Sequence, residues 1–379
     1  MKKKIGIFTT HPIQYQVPLF RSLRKEKNID SHIFYASDHG LKSKTDKEFN
    51  KKFAWNINLT SGYKYKFIGS KNSNVNSFFL NSNKIKEEII KGNYDAIIIF
   101  GWNSIYYLKS IIYSLFYSKK LVLRAENNLH KKENLYKKFL KKIFFFVFFK
   151  LFDYFLYIGK HNYEFYRRNG VEKKKLLPSP YFVDNNFFEL KSKKKNYKKK
   201  NKLVFIFSGK FIERKKPLDI LKALASPILK KYNYKFIFLG DGMLKKNCIQ
   251  FCKKNNLKNI SFLGFVNQKE IVKYYNFSDV IVMPSEYETW GLSINEAMAS
   301  GCACIVTKET GCAKDLVKTK GKNQNGLIFD CGDISSLAFK IKYFLDNKKI
   351  ISKWKKNSIR IIKEYSLDKT VNSINKIIK

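Results

Sequence analysis

Two carboxylates, Glu288 and Glu296, stand eight positions apart across a strand–turn–helix pattern. The apolar run Val280-Ile281-Val282-Met283 reads as a strand that leaves through Pro284-Ser285-Glu286-Tyr287-Glu288 into a glycine-containing turn and a helix. The spacing predicts Glu288 in the loop and Glu296 about one turn inside the helix, so both carboxylates can face one ligand from different depths. The turn Trp290-Gly291-Leu292 offers backbone N–H groups at a helix N-terminus, where those donors and the helix dipole stabilise phosphate oxygens. Carboxylates that accept bonds from hydroxyls beside a phosphate seat suit a sugar nucleotide. An ordinary strand–turn–helix unit of an α/β sheet has the same outline.

Residues 284–301 resemble the retaining glycosyltransferases of the GT4 type, which share a glutamate, seven intervening residues, a glutamate and then Ala-Met-Ala-x-Gly. The chain has Glu288, Glu296 and Ala297-Met298-Ala299-Ser300-Gly301 in that register. In that family a Gly-Arg pair after the first strand of the second domain is followed five residues later by Lys, and both cations hold the donor diphosphate. Here Gly209-Lys210 puts Lys where Arg is usual, and Lys215 stands at the expected position. Lys keeps the charge but lacks the bidentate fork of a guanidinium, and Arg214 is an alternative cation. A solvated lysine run would look similar. Leu239-Gly240-Asp241-Gly242 matches the family's glycine turn beside the nucleotide. Leu263-Gly264-Phe265-Val266 matches the segment whose backbone meets the base, with Val266 at the contact position.

In the N-terminal half, His11-Pro12-Ile13-Gln14-Tyr15-Gln16 follows the first strand and resembles the signature of a GT4 subgroup. His11, Gln14 and Gln16 lie where open α/β sheets place ligands, which suggests acceptor binding, with His11 also a candidate catalytic residue beside Glu288 and Glu126; a solvated loop histidine is the other reading. Many GT4 enzymes carry a catalytic-site His at the end of the strand that here runs Leu121–Ala125. Glu126 takes that position, with His130 four residues on. No Asp-x-Asp pair occurs in the chain, which leads us to expect a metal-independent enzyme without cofactor, whose cations and helix terminus carry the diphosphate charge.

These residues must be positioned by sheets. Short apolar runs alternate with helical patterns throughout, which predicts βαβ units and parallel sheets. The expected strands are Ile5–Thr9, Ser31–Tyr35, Ala96–Phe100, Leu121–Ala125 and Tyr154–Ile158, then Leu203–Ser208, Phe236–Leu239, Ile260–Leu263, Val280–Met283, Ala303–Thr307 and Gly326–Phe329. The length of 379 residues fits two domains. We expect an acceptor-binding domain over 1–190, a linker over 191–202 that holds eight lysines, and a nucleotide-sugar-binding domain over 203–361, with a terminal helix over about 362–379 returning to the first domain. The resemblance implies the GT-B fold, two Rossmann-like α/β domains facing a central cleft.

Lys and Arg number 75 against 30 Asp and Glu, a formal charge of +45. Such a field attracts nucleotide diphosphates, anionic lipid or nucleic acid, although the lysines are scattered as a genome bias would scatter them and form no dedicated nucleic-acid patch. The six cysteines form no Cys-x-x-Cys pair and argue against zinc and for a reducing cytoplasm. Met1-Lys2-Lys3-Lys4 runs directly into a strand, unlike a signal peptide. The apolar stretch Ile143 to Ile158 is sixteen residues long and carries Lys150 and Asp153, too short and too charged to span a bilayer. With Lys137, Lys138, Lys141 and Lys142 before it, the segment has the composition of an interfacial helix, at the inner face of the cytoplasmic membrane; a buried core helix is the alternative.

The resemblance as a whole implies transfer of a hexose or its derivative from a UDP- or GDP-sugar to a saccharide or lipid-linked saccharide, with retention, in surface polysaccharide assembly. The competing reading is a catalytically inactive basic module that binds nucleic acid or anionic membrane.

Overall fold

The computed structural model describes residues 1–41, 44–46, 51–53, 58–69, 74–126, 135–193 and 202–379. Two compact units emerge. The first comprises Met1–Lys44, Phe53–Tyr181 and Leu367–Lys379, and the second Thr45–Lys52 and Phe182–Ser366.

The first unit runs β1 (Lys3–Thr9), α1 (Val17–Lys25) and β2 (Ile29–Tyr35), after which the short β3 (Lys44–Asp46) and β4 (Lys51–Phe53), paired with each other, fall largely in Thr45–Lys52 of the second unit. It continues with β5 (Lys64–Phe67), α2 (Ile85–Gly92), β6 (Ala96–Ile99), α3 (Ile105–Tyr117), β7 (Leu121–Leu123), α4 (Leu135–Phe148), β8 (Tyr154–Tyr157), α5 (Lys160–Arg168) and β9 (Leu176–Pro178). Its sheet has the order β5-β2-β1-β6-β7-β8-β9, and its strands pair in parallel. Strand side chains alternate between faces. Phe8, Phe34, Ile97, Ile99, Leu123 and Phe155 share one core with buried residues of α2, α3, α4 and α5. The alternate residues Ile7, Ile33, Ile98 and Val122 are equally buried and belong to the opposite face. Right-handed crossovers require this division, because every connection from β5 through β9 steps in one direction along the sheet and the β1-to-β2 connection steps in the other.

The second unit runs α6 (Asn185–Lys193), β10 (Leu203–Ser208), α7 (Pro217–Leu224), β11 (Tyr234–Leu239), α8 (Lys245–Lys254), β12 (Ile260–Gly264), α9 (Gln268–Phe277) and β13 (Val280–Met283). After these come α10 (Leu292–Ala299), β14 (Ala303–Thr307), α11 (Ala313–Leu316), β15 (Gly326–Phe329), α12 (Ile334–Asp346) and α13 (Lys348–Lys363). Its parallel sheet has the order β12-β11-β10-β13-β14-β15, so the order reverses beside β10. That reversal is the topological switch point, where open α/β sheets bind ligands. Phe205, Phe207, Phe236 and Phe238 fill one face with α7, α8 and α12. The last helix, α14 (Leu367–Ile378), lies in the first unit, where Ser373 Oγ donates to Pro178 O at 2.6 Å and Thr370 meets Ser179 at 3.2 Å.

Two placements differ from the sequence reading. Residues 182–190, expected with the first domain, pack in the second unit, because α6 lies on α9 and α10 and buries Phe188 against Tyr275. Of the lysine-rich linker 191–202, residues 191–193 extend α6, and 194–201 lie outside the described residues. Among the described residues, no helix is long and apolar enough to cross a membrane.

Candidate functional site

In the second unit the C-terminal ends of β10, β11 and β12 are joined by glycine turns. Gly209 N donates to Leu239 O at 3.0 Å, Gly240 N to Gly264 O at 2.8 Å, and Phe211 N to Asp241 O at 2.9 Å. Gly240 has a φ of +125°, and a Cβ there would lie 1.8 Å from Gly209 O. Only glycine permits that approach. The predicted Gly209 and Gly240 therefore sit in contact, with half-buried Lys210 next in the chain. Val266 follows two residues after Gly264, half-buried in the loop that leads to α9.

Lys215 and Glu288 form a direct ion pair, with side chains 12% and 14% exposed. Lys215 ends a single 3-10 turn before α7, and the left-handed Lys216 and Pro217 then start that helix. Backbone bonds fix the Glu288 loop. Glu288 bridges to Thr310, Gly311 N donates to Glu288 O at 2.9 Å, and Cys312 N donates to Trp290 O at 3.0 Å. Thr307 Oγ1 adds a bond to Ser285 O at 2.6 Å. A loop so tied on both sides holds a carboxylate with little freedom to reorganise.

Gly291 caps α10 with a φ of +100°, and a Cβ there would press on Met283 and Thr310. This left-handed residue turns the chain so that half-buried Leu292 opens α10 and its first-turn amides point out of the helix end. The indole of Trp290 is buried and donates to Asn295 Oδ1 at 2.8 Å, so its side chain braces the turn and only its backbone remains for a ligand. Glu296 lies half-buried in α10 and accepts a bond from Tyr275 at 3.0 Å. Burial pushes its carboxyl up to about 7, and the Tyr275 hydroxyl opposes that rise only in part. Tyr275 also bonds Ser208, which immediately precedes Gly209. Glu296 is thus connected through Tyr275 to the glycine turn at the end of β10.

In the first unit, His11 follows β1, with Nδ1 2.9 Å from Thr10 Oγ1 and its ring 5.3 Å from His39. Burial, reinforced by the neighbouring His39, lowers its pKa to about 4, so the imidazole is neutral at pH 7. Gln16 is buried at the start of α1, where Thr9 Oγ1 donates to its Oε1 at 3.4 Å; its position suits bracing more than ligand contact. Gln14 Oε1 is buried without a hydrogen-bond partner. Arg124, at the end of β7, is buried between the rings of Phe100 and Tyr181 and donates to Ser179 Oγ at 3.1 Å. Glu126 keeps exposed surface although protein crowds it; desolvation raises its carboxyl above the usual range, and the Arg124 guanidinium opposes that rise. Tyr107 bonds Thr9 and Thr10 and lies in the field of Glu126, linking the His11 loop to the β7 end. His130 lies outside the described residues.

Several participants had no sequence signal of their own. Tyr275 sits 21 residues before Glu296 on another helix, Thr310 and Gly311 come from the β14 exit, and Lys245 pairs with Asp241 at 3.3 Å beside the Gly264 turn. No group of three or more metal-ligating side chains occurs among the described residues.

Residues 188–361 match the family model described as glycosyl transferases group 1. A UDP-Gal:alpha-D-GlcNAc-diphosphoundecaprenol alpha-1,3-galactosyltransferase of Escherichia coli is 30% identical over 213 residues, which cover 54% of this chain and 51% of that protein. The chain spans about half or less of the length of the curated relatives it matches. Among solved structures, a glycosyltransferase from Rickettsia africae has a TM-score of 0.70 at 15% identity, covering 100% of this chain and 98% of that one. Anabaena HepE in complex with UDP has a TM-score of 0.68 at 16% identity, covering 99% of each chain. These structural likenesses establish the fold as GT-B.

Proposed function

We propose that this chain, which belongs to the group 1 glycosyltransferases through residues 188–361, transfers a hexose or hexose derivative from a nucleotide-sugar to a saccharide or lipid-linked saccharide, with retention of configuration. The observation that carries the reading is the Lys215–Glu288 pair, held by backbone bonds in the same unit as the stitched glycine turns and the Glu296–Tyr275 pair. The Anabaena neighbour's complex with UDP and the Escherichia coli relative's UDP-Gal donor support a uridine or related nucleotide. That relative's diphosphoundecaprenol-linked substrate supports a lipid-linked acceptor in surface glycan assembly.

In this reaction the acceptor oxygen bonds to the sugar's anomeric carbon as the bond from that carbon to the diphosphate oxygen breaks on the same face. The acceptor proton passes to the departing diphosphate. Lys215 leaves its pairing with Glu288 to meet the diphosphate, together with Lys210 and the first-turn amides of α10, and their charge stabilises the leaving group as it develops. Glu288, released from Lys215, accepts bonds from the sugar hydroxyls and orients the ring. Glu296 accepts bonds from the ribose hydroxyls, and Val266 presents backbone to the base. On the first unit, His11, Gln14 and Glu126 receive the acceptor, with Glu126 in the place of the family's usual histidine and His11 acting as a neutral hydrogen-bonding group. The cations and the helix end fill the role of a metal, so no cofactor is required.

A thermal-stabilisation screen of UDP-, GDP- and ADP-sugars tests the reading, because a ligand that binds only the folded chain raises its melting temperature. One nucleotide series should stabilise the protein well above the others. If none does, while nucleic acid binds with an affinity that falls steeply with salt, the chain is a basic binding module.

A further inference from the structure

Both sides of α4 are apolar. Phe145 and Phe148 are buried on the sheet, and Trp102 packs against both rings. On the opposite side Tyr136, Leu140, Ile143, Val147 and Leu151 recur at steps of three and four residues, between 39% and 69% exposed. Helical geometry places the first four on one stripe, and Leu151 lies in the single 3-10 turn, Phe149–Leu151, that follows α4. Phe139, Phe144 and Phe146 border it and are also exposed. A helix that closes a parallel sheet ordinarily turns charged side chains outward at such positions. Here no charged side chain interrupts the stripe; exposed Lys142 and Lys150 lie beside it, with Lys150 Nζ 4.7 Å above the Phe146 ring. α3, on the same face of the sheet, adds exposed Ile112, Leu115 and Phe116. Together these side chains expose several hundred Å² of apolar surface, more than soluble monomers usually leave open.

The chemistry of this surface selects its occupant. α4 holds lysines and no acidic residue, so the partner must be apolar where the stripe meets it and negative around the margin. A second copy of the chain fits poorly, because each copy carries a formal charge of +45. The helix is too short to span a bilayer but suits lying in the headgroup plane, with aromatic rings in the acyl boundary and lysines among the phosphates. We propose that α4, with the exposed side chains of α3, docks the protein on an anionic lipid bilayer. This surface belongs to the first unit and the proposed nucleotide-binding residues to the second, and its occupancy does not depend on the proposed reaction.

Co-sedimentation of the full chain with vesicles tests this, using phosphatidylcholine alone and phosphatidylcholine mixed with phosphatidylglycerol. The wild type should bind the mixed vesicles and bind the neutral ones much less. Ile143→Asp/Val147→Asp alters two exposed positions, and its fold is checked by its melting temperature. It should lower binding to mixed vesicles by about tenfold or more, since it removes apolar burial. Lys348→Glu, on the exposed start of α13, changes the net charge by the same amount and should leave binding within about twofold, as expected for one charge that is not part of the docking helix. Equal losses from the two variants would show that diffuse charge alone drives binding and would overturn the proposal. So would a wild type that does not bind mixed vesicles, or a wild-type dimer in the absence of lipid that Ile143→Asp/Val147→Asp dissociates.

Discussion

Replacing Glu296 with Gln should stabilise the ligand-free protein while weakening its hold on a nucleotide. Burial places this carboxyl at about 7 rather than its ordinary 4.5. Between those two values the native state holds a proton that the unfolded chain has released, so stability falls as pH rises through this window and levels off above about 7. A difference of that size corresponds to about 3 kcal/mol of cost at pH 8, reduced to about 2 kcal/mol for a group that keeps some solvent contact. Gln fits the same space, accepts the Tyr275 bond through its amide oxygen, and carries no charge. At pH 8 the variant should therefore melt roughly 5 °C above the wild type, given about 2–4 °C per kcal/mol for a unit of this size, and at pH 5 the two should nearly coincide. In the proposed site ribose hydroxyls donate to the ionised carboxylate, so UDP should bind the wild type about tenfold more weakly at pH 6 than at pH 8, following the ionised fraction. The variant should bind UDP weakly at both values. Scanning calorimetry and isothermal titration at each pH make the comparison, and the wild-type-to-variant difference cancels every other titrating group. A variant less stable than the wild type at pH 8, or a wild-type affinity that does not change between pH 6 and pH 8, would refute the reasoning.

Glu288→Gln should reduce turnover by about two orders of magnitude or more, because a group that orients the reacting sugar acts in the transition state, and nucleotide affinity should change far less; steady-state kinetics with titration of UDP checks both, and equal small effects would remove Glu288 from the reacting sugar. In the proposed reaction Lys215, Lys210 and the α10 terminus carry the diphosphate charge, so activity should persist in EDTA; complete loss on chelation with rescue by Mn²⁺ or Mg²⁺ would contradict this.

The central strands were legible because both faces of a parallel sheet are covered, so β10, β13 and β14 read as unbroken apolar runs. Edge strands lack that signal. β5, Lys64–Phe67, alternates lysine with aromatic residues on the rim of its sheet, and β9 is three residues ending in Pro178. The break between units was misplaced because a lysine run resembles a linker, whereas Phe188, just before it, is fully buried in the second unit. Around the candidate site, motif spacing located Glu288, Glu296 and Lys215, but the partner that holds each one comes from elsewhere in the chain. Nothing in the spacing indicates that Lys215 meets Glu288 directly or that Tyr275 meets Glu296. In α4 the composition suggested an interfacial helix or a core helix. The fold buries Phe145 and Phe148 in the core and leaves Ile143 and Val147 exposed on the other side, where a membrane contact is the proposal made above.

The nucleotide site proposed on the second unit is tested most directly by isothermal titration of UDP, GDP and ADP into the wild type and Lys215→Ala. Lys215 should supply the cation that meets the diphosphate, and its loss also leaves the carboxylate of Glu288 without its counter-charge. One nucleoside diphosphate should bind the wild type clearly, and Lys215→Ala should weaken it by about tenfold or more, the scale of a lost charge-assisted contact. Binding of none of the three, or equal affinity in the wild type and Lys215→Ala, would contradict the assignment of this site to a nucleotide-sugar donor.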